Sequence, residues 1–347
     1  MKREMESKSS HLQSPPSPMS ATLADVARLA KVSSITVSRV LNHPHLVSEK
    51  TAKRVKAAIA KTGYVPNLLA GGLVSQRSRL VVVVIPTVAN RVFDATIEHL
   101  GQCLADARYQ LLLAQSDLSE EGESALIDSI LARRPDGLVL THPLQSPAAR
   151  EKLLARGIPV IEAWEIHDRP IDTLVGFSHP DAGKAMAEHI IERGYRKVAL
   201  VWSGDARGTQ RRTACEQRLI DAGVHITARH ITPVPVLVGY GREAMKALLD
   251  ESMGMDAVIC SIDLLAQGVM AEAQSRGLRI PEDVAVMGYG NLEFAAYTHP
   301  RLTTIAIDGA LIGQLIAQRL LQRLTGELVT RTSVDDVGFR LVVREST

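Results

Sequence analysis

The chain has 347 residues, of which 46% are hydrophobic, so it is long enough for two or three domains with buried cores. Its three cysteines lie far apart without the CxxC or Cys/His spacing of a zinc site, and no apolar run approaches the roughly 20 residues that cross a bilayer. These features argue against a disulfide scaffold or a membrane protein, and they predict a cytoplasmic protein without metal or cofactor.

Charge is unevenly distributed along the chain. Residues 1–78 hold twelve Lys or Arg against four Asp or Glu, whereas the other 269 residues hold 28 against 34. A basic segment of this kind can follow DNA phosphates, which would repel the acidic remainder. Lysines and arginines also solvate ordinary helical faces, so charge alone does not identify DNA as the partner. Residues 1–20 are polar, rich in Ser and Pro, and predict a disordered tail.

Three short helices are predicted in the expected DNA-binding domain, residues 21–67. The first has apolar residues at the spacing of one helical stripe. Either Ser33 or Ser34 can cap the second, and the third extends from a cap at Ser48 to Gly63. The residues expected to point inward are Leu23, Val26, Ala27, Ala30, Val37, Val40, Leu41, Val55 and Ile59.

The outward side of the second helix carries side chains that can reach a major groove. Hydroxyls can bond phosphates or base edges, Ile35 can touch a thymine methyl, and Arg39 can bind a guanine or a phosphate. The candidate DNA-binding residues of this domain are Thr22, Ser33, Ser34, Ile35, Thr36, Ser38, Arg39 and Asn42.

From Leu80 onward, short apolar runs alternate with stretches of helical pattern, which is typical of parallel strands joined by crossover helices. A break near 176–183 and a return near 302–307 indicate two doubly wound sheets. We expect a first lobe of about 79–178 and 307–330 and a second lobe of about 179–306 within a core of residues 79–347. The predicted strand regions are Leu80–Pro86, Tyr109–Ala114, Asp136–Leu140, Pro159–Ala163, Lys197–Trp202, Asp256–Ser261 and Asp283–Tyr289.

Ligands of doubly wound sheets bind at the carboxyl ends of the strands, so a cleft between two such lobes is the expected effector site. The candidate residues lie in the loops after the strands or at the start of the helices that follow. They are Asn90, Val92, Phe93, Ser116, Trp164, Phe177, Ser178, Arg211, Arg212, Asp263, Tyr289 and Asn291.

The segment TLADVARLAKVSSITVSRVLN, residues 22–42, resembles the headpiece of the LacI/GalR family of bacterial transcription regulators. The match continues through Val47–Ser48 and the sequence GYVPN at 63–67, although Lys31 stands where the family usually has glycine. The core is similar to the periplasmic-binding-protein-like core of the same family. The resemblance covers residues 21–345 and implies an α/β fold, with a three-helix helix-turn-helix headpiece and a two-lobed core of doubly wound parallel sheets.

The resemblance also implies a hinge at 68–78, which becomes helical only on the operator, pairs with its dimer mate and inserts a leucine into a minor-groove step. Gly71 and Gly72 would each weaken that helix by up to about 1 kcal/mol. We therefore expect hinge folding to depend on DNA and on dimer geometry, whereas an ordinary flexible linker is the alternative. The candidate DNA-contacting positions here are Asn67, Ala70 and Leu73.

In the family an arginine lies beside the ligand, and the matching position is Arg211, with Arg212 as an adjacent alternative. A guanidinium can clamp a carboxylate at two points. Gly290 stands where sugar-binding members often carry aspartate, and the stretches IEAWEI, VGFSHPDAG and GNLEFAAYTHP look like the gluconate-type branch. We therefore expect a sugar acid such as gluconate, or a keto or phosphorylated relative, with a neutral sugar or a purine as the alternative.

These features predict a repressor of carbohydrate metabolism that binds a pseudo-palindromic double-stranded operator as a homodimer, in the nucleoid of the bacterial cytoplasm. A ligand between the lobes would move the hinges apart. The chain has no trailing leucine heptad, which favours a dimer over a tetramer. A sugar-acid-processing enzyme is a weaker alternative because no GxSxG or HExxH motif is present, and a solute receptor would need an export signal.

Overall fold

The computed structural model describes residues 21–65, 77–87, 91–251, 254–327 and 333–347. They form two compact units, a headpiece within residues 1–76 and a core within residues 77–347. The predicted tail and most of the predicted hinge lie outside the described ranges, as does the side chain of Asn42. The predicted site residues that also lie outside these ranges are Asn67, Ala70, Leu73 and Asn90.

The headpiece contains three helices, each starting after a hydroxyl residue that accepts a backbone N–H of the first turn. Such caps stabilise helix ends because the first amides have no partner within the helix. The capping residues are Thr22, Ser33 and Ser48, so Ser33 rather than Ser34 caps the second helix. The helices are α1 (Leu23–Ala30), α2 (Ser34–Asn42) and α3 (Glu49–Thr62).

Buried valines and alanines from all three helices form the core of the headpiece, with Val26, Val37 and Val55 completely buried. The prediction that Leu41 points inward is wrong, since its side chain is 37% exposed. Helical spacing places Leu41 one turn after Val37 and on the same side, but it lies in the last turn of α2 and is not part of the hydrophobic cluster of the headpiece.

Lys31 ends α1 in the left-handed conformation, with φ 49° and ψ 51°. A side chain in this region costs about 1 kcal/mol relative to glycine. Arg54 of α3 donates hydrogen bonds to the carbonyls of Ala30 and Lys31, which the end of the helix leaves without intrahelical partners. The turn between α1 and α2 is thus stabilised from α3.

The core contains two six-stranded sheets. In the first the strand order is β11-β5-β4-β3-β1-β2, and every neighbouring pair is parallel. In the second the order is β12-β10-β9-β8-β6-β7, and only β12 is antiparallel to its neighbour. The strands are β1 (Leu80–Ile85), β2 (Gln110–Gln115), β3 (Gly137–Leu140), β4 (Val160–Ala163), β5 (Thr173–Gly176), β6 (Lys197–Ser203), β7 (His225–Thr232), β8 (Ala257–Cys260), β9 (Ala285–Gly290), β10 (Thr303–Ala306), β11 (Val334–Asp336) and β12 (Arg340–Val342).

Helices cover both faces of each sheet, which explains why the central strands are apolar throughout. Val81 and Val83 of β1 belong to one hydrophobic cluster, whereas the alternate residues Val82 and Val84 belong to another on the opposite face. The core helices are α4 (Asp94–Asp106), α5 (Glu120–Ala132), α6 (Pro147–Arg156), α7 (His179–Glu192), α8 (Ala206–Asp221), α9 (Val238–Asp250), α10 (Asp263–Ser275) and α11 (Gly309–Thr325). No helix in the described ranges has both the length and the apolarity of a membrane span.

The chain passes between the two sheets three times. It crosses after β5 and after β10, close to the predicted break and return, and again between β11 and β12. The third crossing is not in the sequence prediction, so the first lobe continues beyond residue 330 to β11. Both of the strands beside this crossing have only three residues, too few for a period-two pattern to stand out.

Helices α9 and α10 approach each other closely at two glycines. A Cβ atom at Gly241 would lie 2.2 Å from the Leu265 carbonyl oxygen, and one at Gly268 would lie 2.1 Å from that of Val238. A methyl group at either position would therefore force the two helices apart.

We expect Gly241→Ala to lower the free energy of unfolding of the core by about 1–3 kcal/mol, the usual range for overpacking. Both tryptophans belong to the core, so their fluorescence during urea unfolding measures this unit. Gly239→Ala in the same helix is the control, because a Cβ there has nothing within 4 Å. An equal loss of stability in both variants would contradict the close approach at Gly241.

Candidate effector site and DNA-reading helix

Helix α2 presents an exposed surface in the headpiece. Ile35 is 66% exposed, and Ser34 and Arg39 are exposed on the same short helix. Within the described residues Arg39 makes no ion pair. An exposed apolar side chain beside an uncommitted guanidinium suits the methyl groups and acceptor atoms of a major groove.

Several predicted DNA-binding hydroxyls already have structural partners. Thr22 Oγ1 donates to Asp25 at 2.6 Å, and Ser33 Oγ lies 2.9 Å from Thr36 Oγ1 while accepting from the Thr36 amide. Thr36 and Ser38 are half-buried. A DNA contact by Thr22, Ser33 or Thr36 would have to share a hydroxyl that caps or supports a helix.

In the core, three aromatic residues of the first lobe follow the carboxyl ends of strands. Phe93 ends the 3₁₀ turn after β1, Trp164 follows β4 and Phe177 follows β5. All three are buried, and they meet edge to face, with ring centroids 5.1 Å apart for Phe93 and Trp164 and 6.2 Å apart for Trp164 and Phe177. Trp164 has φ 71°, in the left-handed region that is strained for a non-glycine residue.

The second lobe places Arg211 of α8 against Tyr289 of β9 and His179 at the start of α7. The Arg211 guanidinium lies 4.0 Å from the centre of the Tyr289 ring. Arg211 Nη1 is 2.9 Å from His179 Nδ1, and Nη2 donates to the Ser261 carbonyl at 3.3 Å. The His179 ring in turn lies 4.6 Å from that of Phe177, which connects this group to the aromatic residues of the first lobe.

The structure places the adjacent residues Arg211 and Arg212 in different environments. Arg211 is only 6% exposed and has no ion-pair partner among the described residues. Arg212 is half-exposed and pairs with Glu216 on its own helix at 3.6 Å. Arg212 is therefore removed from the candidate set, because consecutive residues of a helix point about 100° apart.

Arg207, one turn before Arg211, is a residue that sequence reasoning missed. It bonds Glu165 at 3.0 Å and the Ala163 carbonyl at 2.9 Å, while Gln210 donates to the same carboxylate at 2.8 Å. These contacts join α8 of the second lobe to the loop after β4 of the first. Arg207 thus has a carboxylate partner, whereas Arg211 has none.

Four buried polar atoms around this group have no hydrogen-bond partner among the described residues. They are Trp164 Nε1, His179 Nε2, Arg211 Nε and Tyr289 Oη. Burying such an atom without a partner costs about 1–3 kcal/mol, so a convergence of four is typical of a site that a ligand completes.

Two polar candidates of the second lobe instead hold the protein together. Asp263 accepts hydrogen bonds from the Thr304 hydroxyl and the Leu292 amide, each at 2.7 Å. Burial raises the pKa of its carboxyl to about 6, although these bonds act in the opposite direction. The Asn291 side-chain oxygen accepts from Arg344 at 2.7 Å. Neither side chain forms a hydrogen bond with one of the four unpaired atoms.

The remaining candidates are distributed around the site. Ser178 caps α7 by accepting from the Asp181 amide, and Ser116 accepts from the Leu118 amide after β2. Val92 packs against the hydrophobic clusters of both lobes. In the part of the chain that the structure describes, no three potential metal ligands come together.

His179 is the second residue that sequence reasoning missed. Burial lowers its pKa far below the ordinary value, as do the charges of Arg211 and Arg207, while the Trp164 carbonyl acts in the opposite direction. The imidazole is therefore neutral. Its position directly after Ser178, at the end of β5, was the available signal, but a single histidine in a loop is usually solvated.

The fold and this site define a ligand-responsive DNA-binding regulator, and comparison with known proteins agrees. Residues 22–67 match the model of the bacterial regulatory proteins of the lacI family, and residues 187–347 match that of the periplasmic binding protein-like domain. The HTH-type transcriptional regulator GntR of Pseudomonas aeruginosa is 37% identical, over 94% of this chain and 95% of its own.

Solved structures give the same result. A LacI-family transcriptional regulator from Silicibacter pomeroyi has a TM-score of 0.87 and 32% identity, covering 94% of this chain and 99% of its own. The lac repressor dimer bound to operator and the anti-inducer ONPF has a TM-score of 0.79 and 27% identity, covering 94% and 98%.

The chain therefore belongs to the LacI family of bacterial regulatory proteins, within its gluconate-repressor branch. It is a DNA-binding repressor of carbohydrate metabolism rather than an enzyme. The predicted fold class is confirmed. LacI-family repressors bind operator DNA and small-molecule effectors and function as dimers.

Proposed function

We propose that this repressor binds a sugar acid, such as gluconate, between the lobes of its core, and that the ligand controls binding of a homodimer to a pseudo-palindromic operator. The single observation that carries the ligand class is the buried guanidinium of Arg211, which lacks a carboxylate partner among the described residues. A buried cation without a counter-ion is unfavourable, and an anionic ligand would neutralise it.

The hydrogen-bonding character of the cleft supports the same ligand class. Trp164 Nε1 and Arg211 Nε can only donate, and Tyr289 Oη can donate as well. Carboxylate oxygens accept hydrogen bonds and can satisfy several such donors at once. The aromatic residues Phe93, Trp164 and Phe177 provide an apolar surface on which the carbon skeleton of the ligand can lie.

The carboxylates near the cleft also favour an acid over a neutral sugar. Glu165 is neutralised by Arg207, and Asp263 is engaged by Thr304 and Leu292. Gly290 adds no carboxylate at the end of β9. A neutral sugar or a purine would leave Arg211 without a counter-charge, so these ligands are the weaker alternatives.

On the DNA side, we propose that α2 enters the major groove of each half-site, in the bacterial cytoplasm and its nucleoid. The roles of Ser34, Ile35 and Arg39 follow from their exposure on one short helix. Asn42 and the hinge positions Asn67, Ala70 and Leu73 are proposed on the family resemblance alone. The lac repressor, to which the chain is similar over 94% of its length, was solved as a dimer on operator.

The test is a competition between matched ligands. The operator is first selected by the purified protein from a random-sequence duplex library, and its affinity is then measured by fluorescence anisotropy. We expect D-gluconate to change that affinity and to raise the melting temperature of the protein, whereas D-glucitol, which has a neutral hydroxymethyl group in place of the carboxylate, should do neither at equal concentration. An equal response to both compounds, or no response to either, would refute the proposal that the ligand is an acid.

A further inference from the structure

The interaction between His179 and Arg211 determines which proton the imidazole carries. A guanidinium has five N–H donors and no acceptor, so the 2.9 Å contact between Arg211 Nη1 and His179 Nδ1 requires a lone pair on Nδ1. A neutral imidazole with an unprotonated Nδ1 carries its proton on Nε2. His179 is 2% exposed, and this Nε2 makes no hydrogen bond of acceptable length and angle with the described residues, although the Trp164 carbonyl is close enough to the ring to favour its protonated form.

We infer that His179 is a specificity-determining residue of the effector site, which holds Arg211 through Nδ1 and donates its Nε2–H to an acceptor atom of the ligand. The inference rests on the proposed function, because it assigns a contact to the same ligand. It deepens that proposal by making the recognition of the anion depend on a neutral histidine beside the arginine.

The geometry around His179 supports this assignment over a purely structural role. Its ring lies 4.6 Å from that of Phe177, and Arg211 lies over Tyr289, so His179 stands between the aromatic residues and the charged group. The unpaired atoms of Trp164, Arg211 and Tyr289 belong to the same contact network. A ligand acceptor at this position would satisfy the Nε2–H, which is buried without a partner among the described residues.

The charged groups facing His179 keep it neutral. Arg211 and Arg207 both disfavour a positive charge on the ring, and Glu165 is already paired with Arg207. The Tyr289 ring packs against the Arg211 guanidinium. Protonation would also remove the acceptor that Arg211 uses. His179 is therefore a donor of fixed direction across the physiological pH range, rather than a second cation.

Two variants distinguish the roles of the two ring nitrogens of His179. In His179→Asn the amide oxygen can replace Nδ1 as the acceptor for Arg211, but nothing replaces the Nε2–H. In His179→Phe both functions are lost while the ring is kept. The probes are D-gluconate and D-glucitol, and the measured quantity is the dissociation constant of D-glucitol divided by that of D-gluconate in the full-length protein.

We expect this ratio to fall about tenfold in His179→Asn and further in His179→Phe, with glucitol binding nearly unchanged, because the lost hydrogen bond is to a charged acceptor. An unchanged ratio in His179→Phe, or equal weakening of both probes, would overturn the inference. If the wild type prefers neither probe, the proposed function fails, and with it the ligand contact of His179.

A second measurement tests the tautomer without any ligand. Nitrogen-15 NMR of histidine-labelled protein, with the His179 signal assigned by its absence from His179→Phe, should show a protonated Nε2 and an unprotonated Nδ1 from about pH 5.5 to 8. A protonated Nδ1, or titration of the ring in this range, would overturn the inference. Burial raises the pKa of Asp263 to about 6, so any pH dependence of binding is taken as the difference between the wild type and His179→Phe.

Discussion

Replacement of Arg211 by methionine is expected to abolish the response to a sugar acid while leaving operator binding intact. Methionine keeps much of the length of the side chain but removes the charge and every donor. Hydrogen bonds to charged groups contribute about 1.5–3 kcal/mol each, so the loss of a two-point contact should weaken acid binding by at least about 100-fold.

The stability of the ligand-free protein distinguishes this role from a structural one. Arg211 is buried without a carboxylate partner among the described residues, so its removal takes away an uncompensated charge rather than an ion pair. We therefore expect the melting temperature of Arg211→Met to be equal to that of the wild type or higher. Calorimetric titration with D-gluconate and anisotropy with labelled operator measure the two activities separately.

The matched control is Arg212→Met, which makes the same change one residue later. Arg212 is partly exposed and paired with Glu216, so its removal should change both acid binding and stability little. If Arg211→Met still responded to the acid, or if Arg212→Met lost the response, the anion would have to be held elsewhere and the site assignment would be wrong.

Replacement of Arg39 by alanine is expected to lower the affinity for the selected operator by roughly 5- to 150-fold. This range corresponds to the loss of about 1–3 kcal/mol for one specific base contact. Arg39 is exposed on α2 and makes no ion pair within the described residues, so the headpiece should keep its fold. Binding to duplexes of unrelated sequence should change much less, since these duplexes offer phosphates but not the preferred base edge.

Lys61→Ala is the control for charge alone, because Lys61 is an exposed cation at the last turn of α3. Its loss should lower the affinity for all duplexes to a similar, small extent and reduce the dependence of binding on salt. If Arg39→Ala behaved like Lys61→Ala, with equal losses on every duplex, Arg39 would contact a phosphate and would not read a base.

The headpiece and the parallel strands of the core could be predicted because their signals are local. Three hydroxyl caps, a terminal glycine and apolar residues at helical spacing define α1, α2 and α3 within 41 residues, counting from Thr22 to Thr62. Each of the seven predicted apolar runs overlaps a strand of the structure. The missed strands were β5, β7, β10, β11 and β12. Strands β5 and β10 are buried but have only four residues, including threonines, β11 and β12 have three residues each, and β7 is largely exposed, so none of them gives a long apolar run in the sequence.

The sequence by itself determined the class of protein, the α/β architecture and the strand ends beside which a ligand should bind. Only the tertiary structure decided between Arg211 and Arg212 and revealed His179 as the neighbour of Arg211, 32 positions away along the chain. It also showed that Arg207 is neutralised by Glu165 whereas Arg211 is not. The physical reason is that caps and periodicity depend on adjacent residues, while the pairing of a buried charge depends on residues that only folding brings together.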